Sequence, residues 1–397
     1  MNNCLVVFLL LLSCGLGSAW PVNQLKAQSS EITGQISTSD GTPLVGARID
    51  IATAAPKVGR GLFCPSCYLD CRKSTTTDEE GEFHLKSLSE QLKFRLVISA
   101  PGYKTLQSKL LDPTAGPVNL ILRDSPKDVD ASRVVSGVIK DNLGNPLAGA
   151  LIEPYGAKTA KRRWWGSVKD VDAAVSDSQG KFAILLPESM LALDINITQH
   201  GFCGERIMLM EPGTETSEIE MRVGARVVGR LVENGNPVAG MSVAVVQLER
   251  GGTDSIFVKA VGCVSDQDGR FEFCNLPPDE RYCIYSVVGE ANRSLSKPAK
   301  DSDASRILTV KKFSVPGTGA VRDLGNLVVA ESVSISGQIK HVDGKPLPKN
   351  LKLSFGRDPA WDLIAIPVAS DGSFSIDGLP PETYELDLRS QDLVIVA

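Results

Sequence analysis

The sequence is poor in what catalysis requires. Its 397 residues hold three histidines, His84, His200 and His341, and none has Glu three positions on. The His-x-x-Glu half of a zinc peptidase site is therefore missing. No Gly-x-Ser-x-Gly elbow, phosphate loop or paired-carboxylate signature stands out. Charge is sparse at 22 % and nearly balanced, 42 basic against 47 acidic residues, with no long run of either sign. That excludes the electrostatic footprint of a nucleic-acid or anionic-membrane binder. No stretch carries a helical period, and beyond the first twenty residues no apolar run is a candidate for a membrane span.

What is present describes an exported globular chain. A hydrophobic fraction of 42 %, with 36 Gly and 23 Pro, is too rich for a disordered protein. Residues 1–19 read as an export signal: an apolar run from Leu5 to Leu12, then small residues ending in Gly17-Ser18-Ala19, which fits a signal-peptidase site. Leu11-Leu12-Ser13-Cys14 also resembles a bacterial lipobox, in which Cys14 would be lipidated and become the mature N-terminus. Both readings place the protein outside the cytoplasm, secreted or in the cell envelope. Beyond the leader lie seven cysteines, Cys64, Cys67, Cys71, Cys203, Cys263, Cys274 and Cys283. Export makes disulfides the expected state, and the odd number leaves at least one thiol over.

Internal repetition organises the rest. A β-branched strand with an embedded Gly leads into a Gly-x-Pro turn four times. The copies are Ile32-Thr33-Gly34-Gln35-Ile36 with Gly41-Thr42-Pro43-Leu44, Val135-Ser136-Gly137-Val138-Ile139 with Gly144-Asn145-Pro146-Leu147, Val228-Gly229-Arg230-Leu231 with Gly235-Asn236-Pro237-Val238, and Ile335-Ser336-Gly337-Gln338-Ile339 with Gly344-Lys345-Pro346-Leu347. A polar turn then ends in Gly-x-Phe: Gly81 to Phe83, Gly180 to Phe182, Gly269 to Phe271, Gly372 to Phe374. Glycine supplies the positive φ of a tight turn, and Asp bonds back to the turn backbone. A third phrase, Leu-Pro-Pro before Tyr, occurs at Leu276 and Leu379. Segments such as Phe94-Arg95-Leu96-Val97-Ile98 and Tyr384-Glu385-Leu386-Asp387-Leu388 alternate with period two, so each strand has one face on a core and one in water. Short strands between Gly/Pro turns predict all-β antiparallel sandwiches.

From Gly34 to Gly137 is 103 residues, to Gly229 a further 92, and to Gly337 a further 108. In this order the motifs resemble carboxypeptidase regulatory-like modules, the transthyretin-like (prealbumin-like) seven-stranded sandwiches. The resemblance implies modules at 30–124, 132–224, 225–330 and 331–397, the last looking incomplete, and an export-side location; it implies nothing about a ligand. Linkers are nearly absent, which suggests a semi-rigid string. The length between the two glycine phrases varies from 47 residues in the first copy to 35 in the fourth, so that loop is where function is expected.

Candidates for chemistry stand in these loops and on two strands of the third copy. Cys64, Cys67 and Cys71 could ligate a soft metal or exchange disulfides, but no fourth Cys or His follows, and no helix opens at the pair. The plain alternative is a disulfide staple whose third thiol pairs elsewhere, with Cys203 a candidate. Cys274 and Cys283 are a second candidate pair, with Cys263 as the odd thiol. Arg163, Trp164 and Trp165, like Trp361, could stack a sugar ring or a peptide, or one Trp could simply plug the sandwich end. No cofactor is expected. The reading is a non-catalytic scaffold or adhesion-type protein whose partner is a cell-surface or matrix protein or a glycan. A carbohydrate-binding role through the loop aromatics is the alternative, and a metal or thiol-redox role at the cysteine loop a distant third.

Overall fold

A computed structural model of the chain describes residues 29–57, 73–213, 216–248, 261–286, 306–360 and 363–390, with Val288, Leu393 and Ile395. Alternation dictates the strands: in Glu82–Ser89, Phe83, Leu85 and Leu88 are buried while Glu82, His84 and Lys86 are exposed. The first sandwich holds β1 (Ser29–Thr38), β2 (Arg48–Pro56), β3 (Ser74–Thr76), β4 (Glu82–Ser89), β5 (Leu92–Ser99), β6 (Leu106–Leu111) and β7 (Val118–Leu122). Its sheets run β4-β1-β7 and β3-β2-β5-β6, closed over Ile36, Ile49, Phe83, Phe94 and Leu96.

The second sandwich holds β8 (Val134–Asp141), β9 (Leu151–Thr159), β10 (Arg163–Trp165), β11 (Ala174–Val175), β12 (Lys181–Leu185), β13 (Met190–Thr198), β14 (Glu205–Met210) and β15 (Ser217–Met221). Its sheets are β12-β8-β15 and β10-β9-β13-β14, with β11 beside β9. The third holds β16 (Ala225–Glu233), β17 (Asn236–Pro237), β18 (Ser242–Gln247), β19 (Val261–Val264), β20 (Arg270–Leu276), β21 (Arg281–Ser286), β23 (Lys311–Ser314) and β24 (Val321–Val328). It pairs β17-β16-β20, with β24 also on β16, against β19-β18-β21-β23. β22 (Arg306–Ile307) and β25 (Ala330–Glu331) form a two-stranded ribbon. Last come β26 (Val333–Gln338), β27 (Lys352–Gly356), β28 (Leu363–Pro367), β29 (Ser373–Leu379) and β30 (Glu385–Leu388), in sheets β26-β29 and β28-β27-β30.

The all-β expectation holds, with one refinement. The first strand of each of the first three sandwiches pairs antiparallel on one side and parallel on the other, with β7, β15 and β24. The last strand of such a unit returns beside the first in the same direction, which an alternating sequence pattern does not reveal.

The two recurrent phrases turn out to be one hydrogen-bonded unit. Gly34, Gly137, Gly229 and Gly337 lie directly opposite Phe83, Phe182, Phe271 and Phe374. A Cβ on any of these glycines would come within 2.5–3.0 Å of the facing ring. The absent side chain is therefore the space the aromatic occupies. Two residues on, the N–H of Ile36, Ile139, Leu231 and Ile339 donates to the carbonyl of Gly81, Gly180, Gly269 and Gly372 at 2.7–2.8 Å. Those turn glycines have φ of 72°, 73°, 73° and 85°, and a Cβ there would overlap the carbonyl oxygen of the same Ile or Leu.

Around this unit the turn is tied by side chains. Asp78, Asp177 and Asp266 each accept two backbone N–H bonds across their turn at 2.7–3.1 Å. Just before them, the hydroxyls of Thr77, Ser176 and Ser265 accept from Ala47, Ala150 and Met241 N and donate to Leu44, Leu147 and Val238 O. Each buried hydroxyl thus joins the Pro-Leu loop to the glycine turn. In the last sandwich Val368 and Ala369 stand at these two positions; the backbone bond Val368 N to Leu351 O remains and the hydroxyl link is lost. The third phrase is a tyrosine tie: Tyr282 donates to Pro277 O (2.7 Å) and Tyr384 to Pro380 O (2.8 Å).

Gly180 and Gly144 separate the two reasons for glycine. Gly144 has φ 82° with open space around it, whereas Gly180 is also crowded by Ile139 O. Gly144→Ala should cost about 1 kcal/mol from the left-handed backbone alone. Gly180→Ala should cost about 3 kcal/mol. Urea unfolding of both variants checks this, and equal losses would contradict the crowding.

Candidate functional site

The aromatic loop of the second sandwich folds into β10, which adds to β9 in the register Arg163↔Lys158, Trp164↔Ala157, Trp165↔Gly156. Strand alternation then splits the tryptophans. Trp164 turns inward against the second core, its Nε1 3.4 Å from Ser167 O and Arg162 4.8 Å above its ring. It is the plug. Trp165 turns outward and is 59 % exposed, with the Arg163 guanidinium 5.0 Å from its ring centroid.

Beneath Arg163 lies Asp194, 1 % exposed, from β13. Its carboxylate receives Arg163 Nη2 at 3.1 Å and the Leu209 N–H at 2.7 Å. Gly156 makes room for this arrangement, because a Cβ there would lie 2.7 Å from Asp194 Oδ2 and 2.8 Å from Trp164 O. On the neighbouring strands Arg206 stacks at 3.6 Å over Tyr155 and donates from Nε to Asn196 Oδ1 at 2.8 Å. Burial holds the Arg206 guanidinium below its usual range, against the opposing pull of Tyr155 and Asp194. The result is an outward sheet face with one open indole, two guanidiniums and a buried carboxylate, a donor-rich surface beside a flat ring.

Of this constellation the loop composition exposed Arg163 and Trp165. Tyr155, Asp194 and Arg206 come from three other strands and were not legible as a group. The available signal was Asp194 itself, an acid inside the apolar strand Leu191-Ala192-Leu193-Asp194-Ile195.

Four of the cysteines lie among the described residues. Cys203, Cys263, Cys274 and Cys283 are all buried. Cys274 and Cys283 sit on β20 and β21, which belong to different sheets. Cys283 packs outside its sheet against Ala244, Val246, Tyr285 and Ala360, while Cys274 lies 3.0 Å from Glu272 Oε1. The facing directions that alternation assigns carry these two side chains apart. Cys203 points its Sγ at Leu276 O, 3.7 Å away, rather than at another thiol. Burial pushes the Cys203 and Cys263 thiols up to about 12, so both stay protonated and unreactive at neutral pH. Cys14, Cys64, Cys67, Cys71 and Trp361 lie outside the described residues.

The histidines stay apart. His84 faces Glu31 at 3.3 Å, and His341 accepts from the Asp343 N–H at 3.1 Å. Among the described residues no group of three or more His, Cys, Asp or Glu is placed to hold a metal ion, and no helix is long and apolar enough to cross a membrane.

Trp164 and Trp165 should respond differently to truncation. Trp164→Ala should destabilise the second sandwich by about 3 kcal/mol, and Trp165→Ala by less than about 0.5 kcal/mol. Arg163→Met should cost about 3 kcal/mol or more, because it strands the Asp194 carboxylate. Thermal unfolding of the three variants checks the order, and a Trp165 loss equal to that of Trp164 would contradict the split.

Comparison with known proteins returns solved structures at low identity. Among solved structures the chain is similar to the Bacillus anthracis TIE protein at 10 % identity, over 91 % of this chain and 69 % of that one, with a TM-score of 0.20. It is also similar to a streptococcal ancillary pilin (13 % identity, 76 % and 99 % covered, TM-score 0.22). BcpA, the major pilin subunit of Bacillus cereus, matches at 12 % identity with 77 % and 100 % covered and a TM-score of 0.19. A comparison with curated proteins returns no match. The family model for the carboxypeptidase regulatory-like domain matches residues 31–122, the span of β1 to β7. That span, with its seven strands in two sheets and its Gly34–Phe83 pair, is similar to a carboxypeptidase regulatory-like domain.

Proposed function

We propose that the chain is an exported, non-catalytic scaffold that holds cell-surface or matrix components at set spacings. The observation that carries this reading is that successive sandwiches are bonded to one another rather than merely linked. Lys104 pairs with Asp172 (2.8 Å) and Gln107 with Glu153 (3.2 Å) between the first and second. Between the second and third, Cys203 meets Leu276 O, and a Cβ on Gly224 would overlap Asn275.

The third and fourth are joined by a buried arginine. Arg357, 4 % exposed, donates to Ser286 O (2.5 Å) and to Glu382 Oε2 (2.9 Å), and lies 5.4 Å from the Tyr285 ring centroid. Glu382 Oε1 in turn accepts from Val310 N at 2.5 Å. Arg357 and Glu382 both belong to the fourth sandwich, so what crosses the junction is Arg357 to Ser286 O and Val310 N to Glu382. These are charge-assisted bonds whose geometry favours one arrangement. A spacer needs that property. Export through residues 1–19, with lipid attachment at Cys14 as the other route, would deliver it to the envelope or beyond.

Small-angle scattering tests the scaffold. The separation of the third and fourth sandwiches in the wild-type distance distribution should be the same at low and high salt, since the junction arginine is shielded from counter-ions, and Arg357→Met should broaden it. A wild-type profile already typical of freely jointed domains would overturn the reading.

A second reading is favoured by Trp165, exposed beside Arg163 on a sheet face: the second sandwich binds a glycan by ring stacking and guanidinium bonds. On a glycan array the wild type should give a signal that Trp165→Ala loses. Silence on every glycan removes this reading and leaves the scaffold untouched.

A further inference from the structure

We infer that the glycan taken by the second sandwich carries a carboxylate, which Arg206 holds while a sugar ring stacks on Trp165. The inference rests on the glycan reading of this sandwich and names the class of sugar. Three rows of side chains share the outer face of the sheet. The middle row holds Trp165, Gly156 and Asp194, which lie opposite one another on β10, β9 and β13. Arg163 and Lys158 form the row on one side. Glu153, Asn196 and Arg206 form the row on the other, with Tyr155 at the β-bulge between. Residues two apart on a strand are roughly 7 Å apart, so the open indole has a cation row on each side.

Charge on this face is unbalanced. Arg163 spends its guanidinium on Asp194, with both carboxylate oxygens 3.1–3.2 Å from Nη2. Glu153 accepts from Gln107 of the first sandwich. Arg206 has no carboxylate partner among the described residues. Its Nε donates to Asn196 Oδ1 at 2.8 Å, its guanidinium lies 3.6 Å over the Tyr155 ring, and its Nη2 is buried without an acceptor. Stacking and a neutral amide hold this cation in place without neutralising it, and burial works against its charge. Lys158, which is exposed, likewise meets no acid among the described residues.

A carboxylate supplies what Arg206 lacks. The planar fork of arginine matches two carboxylate oxygens. The Tyr155 stack and the Asn196 bond fix that fork in advance, so little side-chain freedom is lost on binding. Trp165, 59 % exposed, offers the flat apolar face that a sugar ring covers. A neutral sugar would occupy the indole, strip water from the guanidinium and leave it unpaired, which costs free energy. The same surface therefore favours an acidic sugar over its neutral counterpart.

The test applies the full chain to an array of neutral, uronic-acid and sialic-acid glycans, each acid beside its carboxyl-reduced counterpart, with a hexaglutamate peptide among them. An acid form should bind about tenfold or more tighter than its reduced form. Arg206→Gln breaks no ion pair, so it should melt near the wild-type temperature and bind acid and reduced forms alike. Arg206→Lys keeps the charge without the fork and should retain part of the preference. Lys158→Gln removes a nearby cation and should leave the preference in place, which separates contact from general attraction. Equal binding of acid and reduced forms, a preference that survives Arg206→Gln, or one lost equally in Lys158→Gln would overturn the inference and leave the glycan reading standing. Silence on every glycan, or tighter binding of hexaglutamate, would overturn both.

Discussion

The structure depends on one cross-strand pair, a glycine facing a phenylalanine. Gly34–Phe83 and its three counterparts sit where the first strand of each sandwich meets the strand after the aspartate turn. The ring lies in the space a side chain would take, so the aromatic covers its own neighbour's backbone and reaches the core at once. Two residues away, the turn glycine is pressed against a backbone carbonyl that leaves no room for Cβ. Two glycines, one phenylalanine and one hydrogen bond thus set the register of the first sheet, and the buried hydroxyl of Thr77, Ser176 or Ser265 ties the intervening loop to it. What varies between copies is attached to this constant unit.

Most of that unit was legible as recurrence before it was legible as contact. The embedded glycine and the Gly-x-Phe turn are far apart in the chain, 40 residues between Gly229 and Gly269, and their partnership is a property of antiparallel register. The hydroxyl before the aspartate does not stand out in the sequence, being Thr at 77, Ser at 176 and 265, and replaced by Val368 in the last copy. Parallel pairing of β7, β15 and β24 was invisible for a different reason: period-two alternation reports which face is buried, not which way the neighbour runs. Tryptophans adjacent in sequence had to face opposite sides of a strand, yet only the added edge strand β10 showed which one is open.

The four described cysteines are packed rather than exposed: Cys263 and Cys283 are small apolar fillers of the third sandwich, and Cys203 is a contact between the second and third. Polar specificity is carried instead by buried ion pairs. Asp194 with Arg163 shapes an outer face, and the Glu382–Arg357 pair of the fourth sandwich bonds to Ser286 O and Val310 N of the third. Both pairs place a charge where hydrophobic packing alone would tolerate several arrangements, and a spacer of defined geometry requires one.

The central claim is that the embedded glycine and the phenylalanine are one unit. A double-mutant cycle on Gly137→Ala and Phe182→Leu measures it most directly. The clash created by the alanine disappears once the ring is gone, so the account predicts a double variant less destabilised than the sum of the single variants by about 1 kcal/mol or more. Additive losses, agreeing within about 0.5 kcal/mol, would contradict it.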